Sequence, residues 1–406
     1  MGVLRWRSWL DSRIAASSAQ PISKLDLEVL IALRIAVYQL GWLSRIPVRA
    51  AINESVELVK RARKRSAAPF VNAVLRKIGA SDLSQQRSQS ILSASSTEAL
   101  AAISAHPPWL VERWVQAYGL KAVSQICEYD QSIPVPAVRI RHPEAEGRLQ
   151  IEGFELVAGA LLSSARRVLH GDIGRSATFR AGLCVVQDEA SQLVAALVGT
   201  GANILDCCAA PGGKTAAIAD HNPGGEIAAV EFHPHRARLL RKLLNAKNPA
   251  SDAQDRNIQV IAADARNLPF DKKFERVLAD VPCSGTGTLA RNPEIKWRLT
   301  PADLDDLQVR QVAILRSAMG QVAAGGRLIY STCSLEREEN EAVIELAMGL
   351  QSSFRVIDCR TELDRLQREG ELVWPGVSSL TRGPYLRTLP GVHPCEGFFA
   401  AILEKI

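Results

Sequence analysis

The sequence predicts an α/β fold: a Rossmann-like alternation of strands and helices from residue 185 onward, behind an all-helical N-terminal part and a small α/β insertion. Three observations predict it. The chain has 406 residues, too many for one ordinary core, which points to two or three domains. In the second half, short apolar strand patterns alternate with helical ones, the mark of parallel β–α units with helices on both faces of a sheet. In the first part only helical spacing is visible. The composition, 47% hydrophobic and 23% charged, excludes disordered, collagen-like and small disulfide-stapled classes.

The elements follow in order. Residues 25–43 carry apolar side chains at helical spacing and stop before Pro47. A second helix is expected over 48–65, with Ala51, Ile52, Val56 and Val59 on one face. A third runs over 69–78, opened by Pro69 and closed by Gly79. Residues 79–97, rich in Ser and Gln, read as a linker. Helices over 109–118 and 120–129 come next, then a strand at 137–141 inside a mixed α/β stretch, 134–180. Strands are expected at 204–206, 227–231, 258–262, 274–280, 326–331 and 397–403. Helices are expected from Lys214, over 234–246, 301–322 and 338–350. These segments suggest domains at 1–95, 96–184 and 185–406.

Charge is uneven. The net is +6, yet residues 1–80 hold 14 Lys and Arg against 5 Asp and Glu, so a polyanionic partner is expected at that end. The run Lys60-Arg61-Ala62-Arg63-Lys64-Arg65 is its densest part, read either as a grip on RNA phosphates or as a solvated helix end. No uncharged apolar run reaches the roughly 18 residues of a membrane helix, and no signal-peptide stretch follows Arg5, Arg7 and Arg13. A cytoplasmic location is therefore expected, with the eight cysteines, none in a CxxC pair, as thiols.

The strand at 204–206 runs into Cys207-Cys208-Ala209-Ala210-Pro211-Gly212-Gly213-Lys214-Thr215. Its small residues permit close backbone approach to a ligand at a helix N-terminus. A phosphate-binding loop would need Gly where Cys208 stands, and Pro211 removes an amide. A plain tight turn is one remaining reading; S-adenosylmethionine, which carries no phosphate, is the other. That ligand also calls for an acid at the end of the second strand, and Glu231 is there. Asp264, after the third strand, is a further candidate.

Two cysteines end adjacent strands: Cys283 in Asp280-Val281-Pro282-Cys283-Ser284-Gly285-Thr286-Gly287, and Cys333 in Tyr330-Ser331-Thr332-Cys333-Ser334. A lone cysteine is most often a small buried hydrophobe. A zinc site would need further ligands that the seven histidines do not offer at suitable spacing, so no metal is expected. A thiolate, a carboxylic acid and a methyl donor suit methylation at carbon 5 of a pyrimidine. The thiolate adds at carbon 6, which turns carbon 5 into a nucleophile, and the acid hydrogen-bonds the ring edge. A second thiol is useful for elimination. Asp280, Cys283 and Cys333 supply that set.

These motifs, with Glu338-Glu339-Asn340 after the last, resemble the RNA cytosine-5 methyltransferases, and within them the ribosomal RNA small subunit methyltransferase B group. Phe70–Arg76, His106–Leu110, Val186–Gln192, Pro293–Arg298 and Gly397-Phe398-Phe399 fit that group too, so the resemblance covers nearly the whole chain. It implies a seven-stranded methyltransferase sheet behind a NusB-like RNA-binding domain. It implies Cys333 as nucleophile, Cys283 in product release, and Asp280 at the base. Cofactor contacts would be Cys208, Ala209, Ala210, Pro211, Gly212, Gly213, Lys214, Glu231, Asp264 and Asp280, with S-adenosylmethionine as cofactor. The substrate would be a cytidine in 16S ribosomal RNA, bound by a monomer. Glu231 stands where the family usually has Asp. The family also carries helices before the segment resembling Gly2–Arg5, so the chain is expected to begin inside the NusB-like domain and to leave Trp6, Trp9 and the Leu27/Leu30 face uncovered. The alternatives are action on another RNA such as tRNA, a DNA cytosine-5 methyltransferase using the Pro-Cys thiol, or a non-catalytic RNA-binding assembly factor.

Overall fold

The computed structural model describes residues 1–80, 83, 91–244, 257–349 and 353–406. The chain divides into two compact units: Met1–Ile133 with Leu289–Arg298, and Pro134–Thr288 with Leu299–Ile406.

The first unit is helical, with Arg7–Ser17, Leu27–Trp42, Val48–Arg61 and Ala68–Gly79 packed around Leu10, Ile14, Leu33, Val37, Val59, Val71 and Leu75. Pro at the first turn opens Ala68–Gly79, and the Ser96 hydroxyl caps Thr97–Ile103 by accepting the Ala99 N–H at 3.2 Å. Gly119, at φ +79°, turns the chain between Pro108–Tyr118 and Leu120–Gln131. The second helix stops at Arg61 and not at 65, because Arg63 takes a left-handed conformation, φ +62°, that no helix can continue through. Arg7–Ser17 and Thr97–Ile103 are helices that the sequence did not single out. Residues 81–82 and 84–90 of the expected linker, and the end of the expected helix at 245–246, lie outside the described residues; so does position 350.

The expected uncovered face needs correction. Trp9 and Leu30 are buried, and Trp6 packs against the same core. Trp42 covers them: its ring lies 5.2 Å from Trp6 and 5.3 Å edge-on to Trp9, and Tyr38 stacks on it at 5.0 Å. Only Leu27 of the set stays open, 65% exposed.

Segment 289–298 joins this first unit through polar contacts, those of Lys296 and Arg5 buried and that of Trp297 exposed. Lys296 Nζ donates to the carbonyls of Arg5 (2.9 Å) and Ala105 (3.0 Å), Arg5 donates to the Ala290 carbonyl (2.6 Å), and Trp297 donates to the Leu4 carbonyl (2.6 Å). Burial pushes the Lys296 ammonium down to about 8.

The second unit holds two sheets. Strands β1 (Ala137–Ile140), β2 (Glu155–Ala158), β3 (Ala165–His170) and β4 (Cys184–Val186) form an antiparallel sheet in the order β2-β3-β1-β4; the first three fall in the expected insertion, and β4 lies just beyond its end at 180. The large sheet contains β5 (Asn203–Asp206), β6 (Glu226–Glu231), β7 (Ile258–Ala262), β8 (Phe274–Asp280), β9 (Val322–Thr332), β10 (Phe354–Ile357), β11 (Thr381–Arg382), β12 (Tyr385–Arg387) and β13 (Phe399–Lys405). Its order is β11-β12-β13-β9-β8-β5-β6-β7, with β10 beside β13. Strands β5 to β9 pair in parallel; β10, β12 and β13 pair antiparallel, as does β11 with β12. Among the described residues the sheet thus has nine strands and an antiparallel edge, where the sequence suggested a parallel sheet and the resemblance seven strands.

Alternation along each strand builds two cores. Ile204, Ile227, Leu278 and Ile329 face one layer with Leu193, Ile218 and Leu240. Leu205, Ala228, Val277 and Tyr330 face the other with Leu315, Met319 and Ile344. The helices Glu189–Leu197, Gly213–His221 and Pro234–Leu244 therefore cover one face, and Pro301–Gln321 and Glu341–Met348 the opposite one. Because β5 has β6 on one side and β8 on the other, strand order reverses there, and the crevice for a ligand opens at the carboxyl ends of β5 and β8.

Candidate active site

The loop after β5 is held on both flanks: the Cys207 N–H donates to the Leu278 carbonyl and the Ala209 N–H to the Val230 carbonyl, each at 2.8 Å. Gly212 then turns at φ +109° to start the helix Gly213–His221; a Cβ there would meet Leu240 at 2.7 Å, so only glycine fits. Asp206 closes the floor of the loop. It accepts the Thr215 hydroxyl at 2.7 Å and the Cys208 N–H at 3.3 Å, and burial pushes its carboxyl up to about 6.

Asp280 ends β8 in register with Ser331 of β9. Its two oxygens are separately held: Ser331 Oγ donates to Oδ1 and Lys214 Nζ to Oδ2, each at 2.7 Å. Burial lowers the Lys214 ammonium, but the Asp280 carboxylate outweighs it and, with Cys333 and Asp206, holds the group above its ordinary value. The same ammonium sits 4.9 Å over the Phe398 ring. Sequence reasoning gave Lys214 to the cofactor; the structure brings it to Asp280 and the Cys333 side.

The two cysteines meet, with Sγ atoms 3.3 Å apart as free thiols. Their loops are clipped by backbone and side chain: the Gly287 N–H donates to the Cys333 carbonyl (2.9 Å) and the Leu335 N–H to Thr286 Oγ1 (2.9 Å). Thr332 Oγ1 donates to Asn340 Oδ1 (2.5 Å), whose amide nitrogen returns to the Ser334 carbonyl (2.9 Å). The hydrogen bond to Cys333, then burial, then the charges of Cys333 and Glu339 push the Cys283 thiol up. Burial and the surrounding carboxylates do the same to Cys208.

The end of β6 offers an acceptor suited to a ribose diol. Glu231 is buried; its Oε1 takes the His233 N–H at 2.9 Å, with Arg236 3.8 Å away, while Oε2 takes no hydrogen bond from the described residues. With the small residues Ala209 and Ala210 on the facing loop, this donor–acceptor set fits an adenosyl ligand. Asp264 is different. Its carboxylate accepts the Arg266 N–H and guanidinium at 2.6–3.0 Å, which hold it below the usual carboxylate range. In the basic run, Lys60 pairs with Glu57 (2.7 Å) and Lys64 with Asp26 (3.0 Å), leaving exposed Arg61, Arg63 and Arg65 without ion pairs among the described residues. Among those residues there is no cluster able to hold a metal ion and no helix long and apolar enough to cross a membrane.

Residues 197–404 match the family model described as 16S rRNA methyltransferase RsmB/F, and residues 1–80 match the NusB family. The chain belongs to the RsmB/F family. Relatives include the probable ribosomal RNA small subunit methyltransferase B of Bacillus subtilis, 34% identical over all of this chain and 88% of that one. The ribosomal RNA small subunit methyltransferase B of Vibrio cholerae is 30% identical over all of this chain and 87% of that one. Among solved structures, PH0851 shares the fold at a TM-score of 0.80 and 24% identity, covering 99% of this chain and 88% of that one. A methyltransferase homolog from Pyrococcus horikoshii does so at 0.61 and 23%, covering 77% and 100%. As an RsmB/F member the chain has the expected NusB domain and methyltransferase fold.

Two functional residues escaped the sequence reading. Glu339 is fully buried and bonded to both cysteine loops, and Ser331 orients Asp280. Ser331 had a signal, since it sits two residues before Cys333 on a strand end. Glu339 had one only in its place within a quoted motif, because its partners lie far away in sequence.

Proposed function

We propose that this RsmB/F protein methylates carbon 5 of a cytidine in 16S ribosomal RNA through a covalent adduct between Cys333 and carbon 6. The observation that carries the reading is the pair of thiols 3.3 Å apart at the ends of β8 and β9, beside Asp280. Bound S-adenosylmethionine would supply an electrophilic methyl group. Glu231 would hold its ribose, with the loop Cys208–Lys214 against it and Asp264 at the next strand end.

The cytosine ring lies over the crevice with its nitrogen edge at Asp280. Cys333, the thiol that faces the Lys214 ammonium, is the attacking sulfur. Its sulfur bonds to carbon 6, and the ring electrons move to carbon 5. Asp280, held by Ser331 and Lys214, steadies the charge that develops on the ring edge. After methylation a water molecule takes the carbon 5 proton, the C–H electron pair re-forms the carbon 5–carbon 6 double bond, and the carbon–sulfur bond breaks with its pair leaving on Cys333 as thiolate. Cys283, kept as a thiol 3.3 Å away, is placed to assist that departure. Arg61, Arg63 and Arg65, with Lys60 and Lys64 beside them, supply phosphate contacts on the helical unit.

The test is methyl transfer from labelled S-adenosylmethionine to unmodified 16S ribosomal RNA, with tRNA in parallel. Wild type, Cys333→Ala and Cys283→Ala are compared, and adducts are read on denaturing gels. Expected are an inactive Cys333→Ala and a Cys283→Ala that accumulates protein–RNA adduct. An active Cys333→Ala refutes the role assignment; label in tRNA alone refutes the substrate.

A further inference from the structure

Glu339 is a carboxylate without solvent contact, set in a turn after Cys333, and all its partners belong to the cysteine loops or to the helix behind them. Its Oε1 accepts the Ser284 N–H at 2.7 Å and the Gln311 amide at 2.9 Å, and its Oε2 accepts the hydroxyls of Ser284 and Ser334. Those hydroxyls also touch each other at 3.0 Å. Gln311, from Pro301–Gln321, binds the Pro282 carbonyl at 2.9 Å as well, and Tyr330 donates to the Glu339 carbonyl at 2.6 Å. Ser284 follows Cys283 and Ser334 follows Cys333, so one side chain fixes both loops. Burying a carboxylate is costly, and four donors offset that cost only while both loops stay in place.

We propose that Glu339 is the positioning residue that gives the two thiols unequal roles: its carboxylate locks the loops at their spacing and puts a negative charge beside Cys283, away from the cation that faces Cys333. The inference rests on the two-thiol reading above and deepens it. The charged and titratable groups facing Cys283 are Cys333, Glu339 and Tyr330; those facing Cys333 are Cys283 and Lys214. A like charge disfavours a thiolate and an opposite one favours it. Cys283 is thereby held as a thiol, which is what release by that sulfur requires.

The experiment reads the thiols directly and needs no RNA. The full chain is treated with iodoacetamide across a pH series, and carboxamidomethylation of Cys283 and Cys333 is followed by peptide mass spectrometry. In wild type, Cys333 is expected to react about tenfold faster than Cys283 at neutral pH. In Glu339→Gln, which removes the charge and keeps an acceptor, the ratio is expected to fall to about threefold or less, with the Cys283 profile moving to lower pH. Glu339→Asp, which keeps the charge, should restore the order. S-adenosylmethionine binding by equilibrium dialysis reports folding. If Glu339→Gln does not fold, Ser284→Ala and Ser334→Ala, each deleting one donor, take its place and should change the ratio about threefold. An unchanged ratio in folded variants overturns the proposal, as does a wild-type Cys283 that reacts first. Absent RNA methylation, by contrast, would defeat the activity reading and leave the thiol ratio to decide this one.

Discussion

Gly287 offers the sharpest single perturbation of the site. It lies in the turn Thr286–Thr288, where its N–H donates to the Cys333 carbonyl at 2.9 Å and its carbonyl accepts the Gly397 N–H at 2.8 Å. A Cβ at this position would stand 2.2 Å from the Gly397 oxygen and 2.7–2.8 Å from its carbon atoms, all of them backbone. Ordinary contact begins near 3.4 Å, so Gly287→Ala forces a main-chain shift of about 1 Å in a dense interior. Overpacking of this kind costs about 1–3 kcal/mol, and weakening the two hydrogen bonds adds about 1 kcal/mol each, for about 3–5 kcal/mol in all. At about 2–4 °C per kcal/mol, the melting temperature should drop by roughly 6–20 °C. Thermal denaturation with and without S-adenosylmethionine is the assay, with Gly320→Ala as control. Gly320 lies in Pro301–Gln321 with nothing within 4 Å of its added Cβ, so alanine there should stabilise by about 0.5–1 kcal/mol. A Gly287→Ala melting within about 2 °C of wild type would refute the reasoning, because the backbone crossing would then have room that the distances deny.

Other outcomes follow from the same geometry. Asp206 keeps its proton to about 6 in the folded chain but only to 3.8 when unfolded, so between these values the folded state binds more protons and this group's contribution falls as pH rises. Asp206→Asn should make the slope of stability against pH more positive by up to about 1.4 kcal/mol per unit in that window; identical slopes in denaturant titrations would contradict it. Glu231→Ala should weaken S-adenosylmethionine binding about tenfold or more by calorimetry while leaving the melting temperature of the unliganded protein near wild type. Replacing Arg61, Arg63 and Arg65 together with Gln should reduce the salt dependence of RNA binding, by a slope of about 2–3, with cofactor affinity unchanged.

The parallel half of the large sheet was legible because its signals are local. Short β-branched and apolar stretches such as Ile258–Ala262 and Phe274–Asp280 carry buried residues along their length and end in turn residues, and their bounds match the structure. The two cysteines could be placed at strand ends for the same reason. The edge was not legible: β11 has two residues and β12 three, too short for any alternation to show, and β10 gains its meaning only by pairing with β13. The helix Arg7–Ser17 mixes Arg and Ser with Trp9, Leu10 and Ile14, which blurs its apolar stripe. Glu339 illustrates the deeper limit. A carboxylate in a Glu-Glu-Asn run reads as solvated surface, and only the approach of Ser284, fifty-five positions earlier, makes it interior. Lys214 is similar, since nothing local ties it to Asp280 across 66 positions.

The membership of residues 289–298 in the helical unit has a consequence for synthesis on the ribosome. That unit is translated first, and its apolar core, from Trp9 to Ala105, is complete once the early helices have emerged. Its last interior pieces are not: the Lys296 amine that serves the Arg5 and Ala105 carbonyls, and the Trp297 ring nitrogen that serves Leu4, arrive about 160 residues after Ile133. At about 5–20 residues per second the nascent helices wait roughly ten to thirty seconds with those carbonyls still hydrated. The unit therefore finishes folding only after the strand bearing Asp280 and the loop bearing Cys283 have been made, so completion of the N-terminal part is timed by the methyltransferase part of the message.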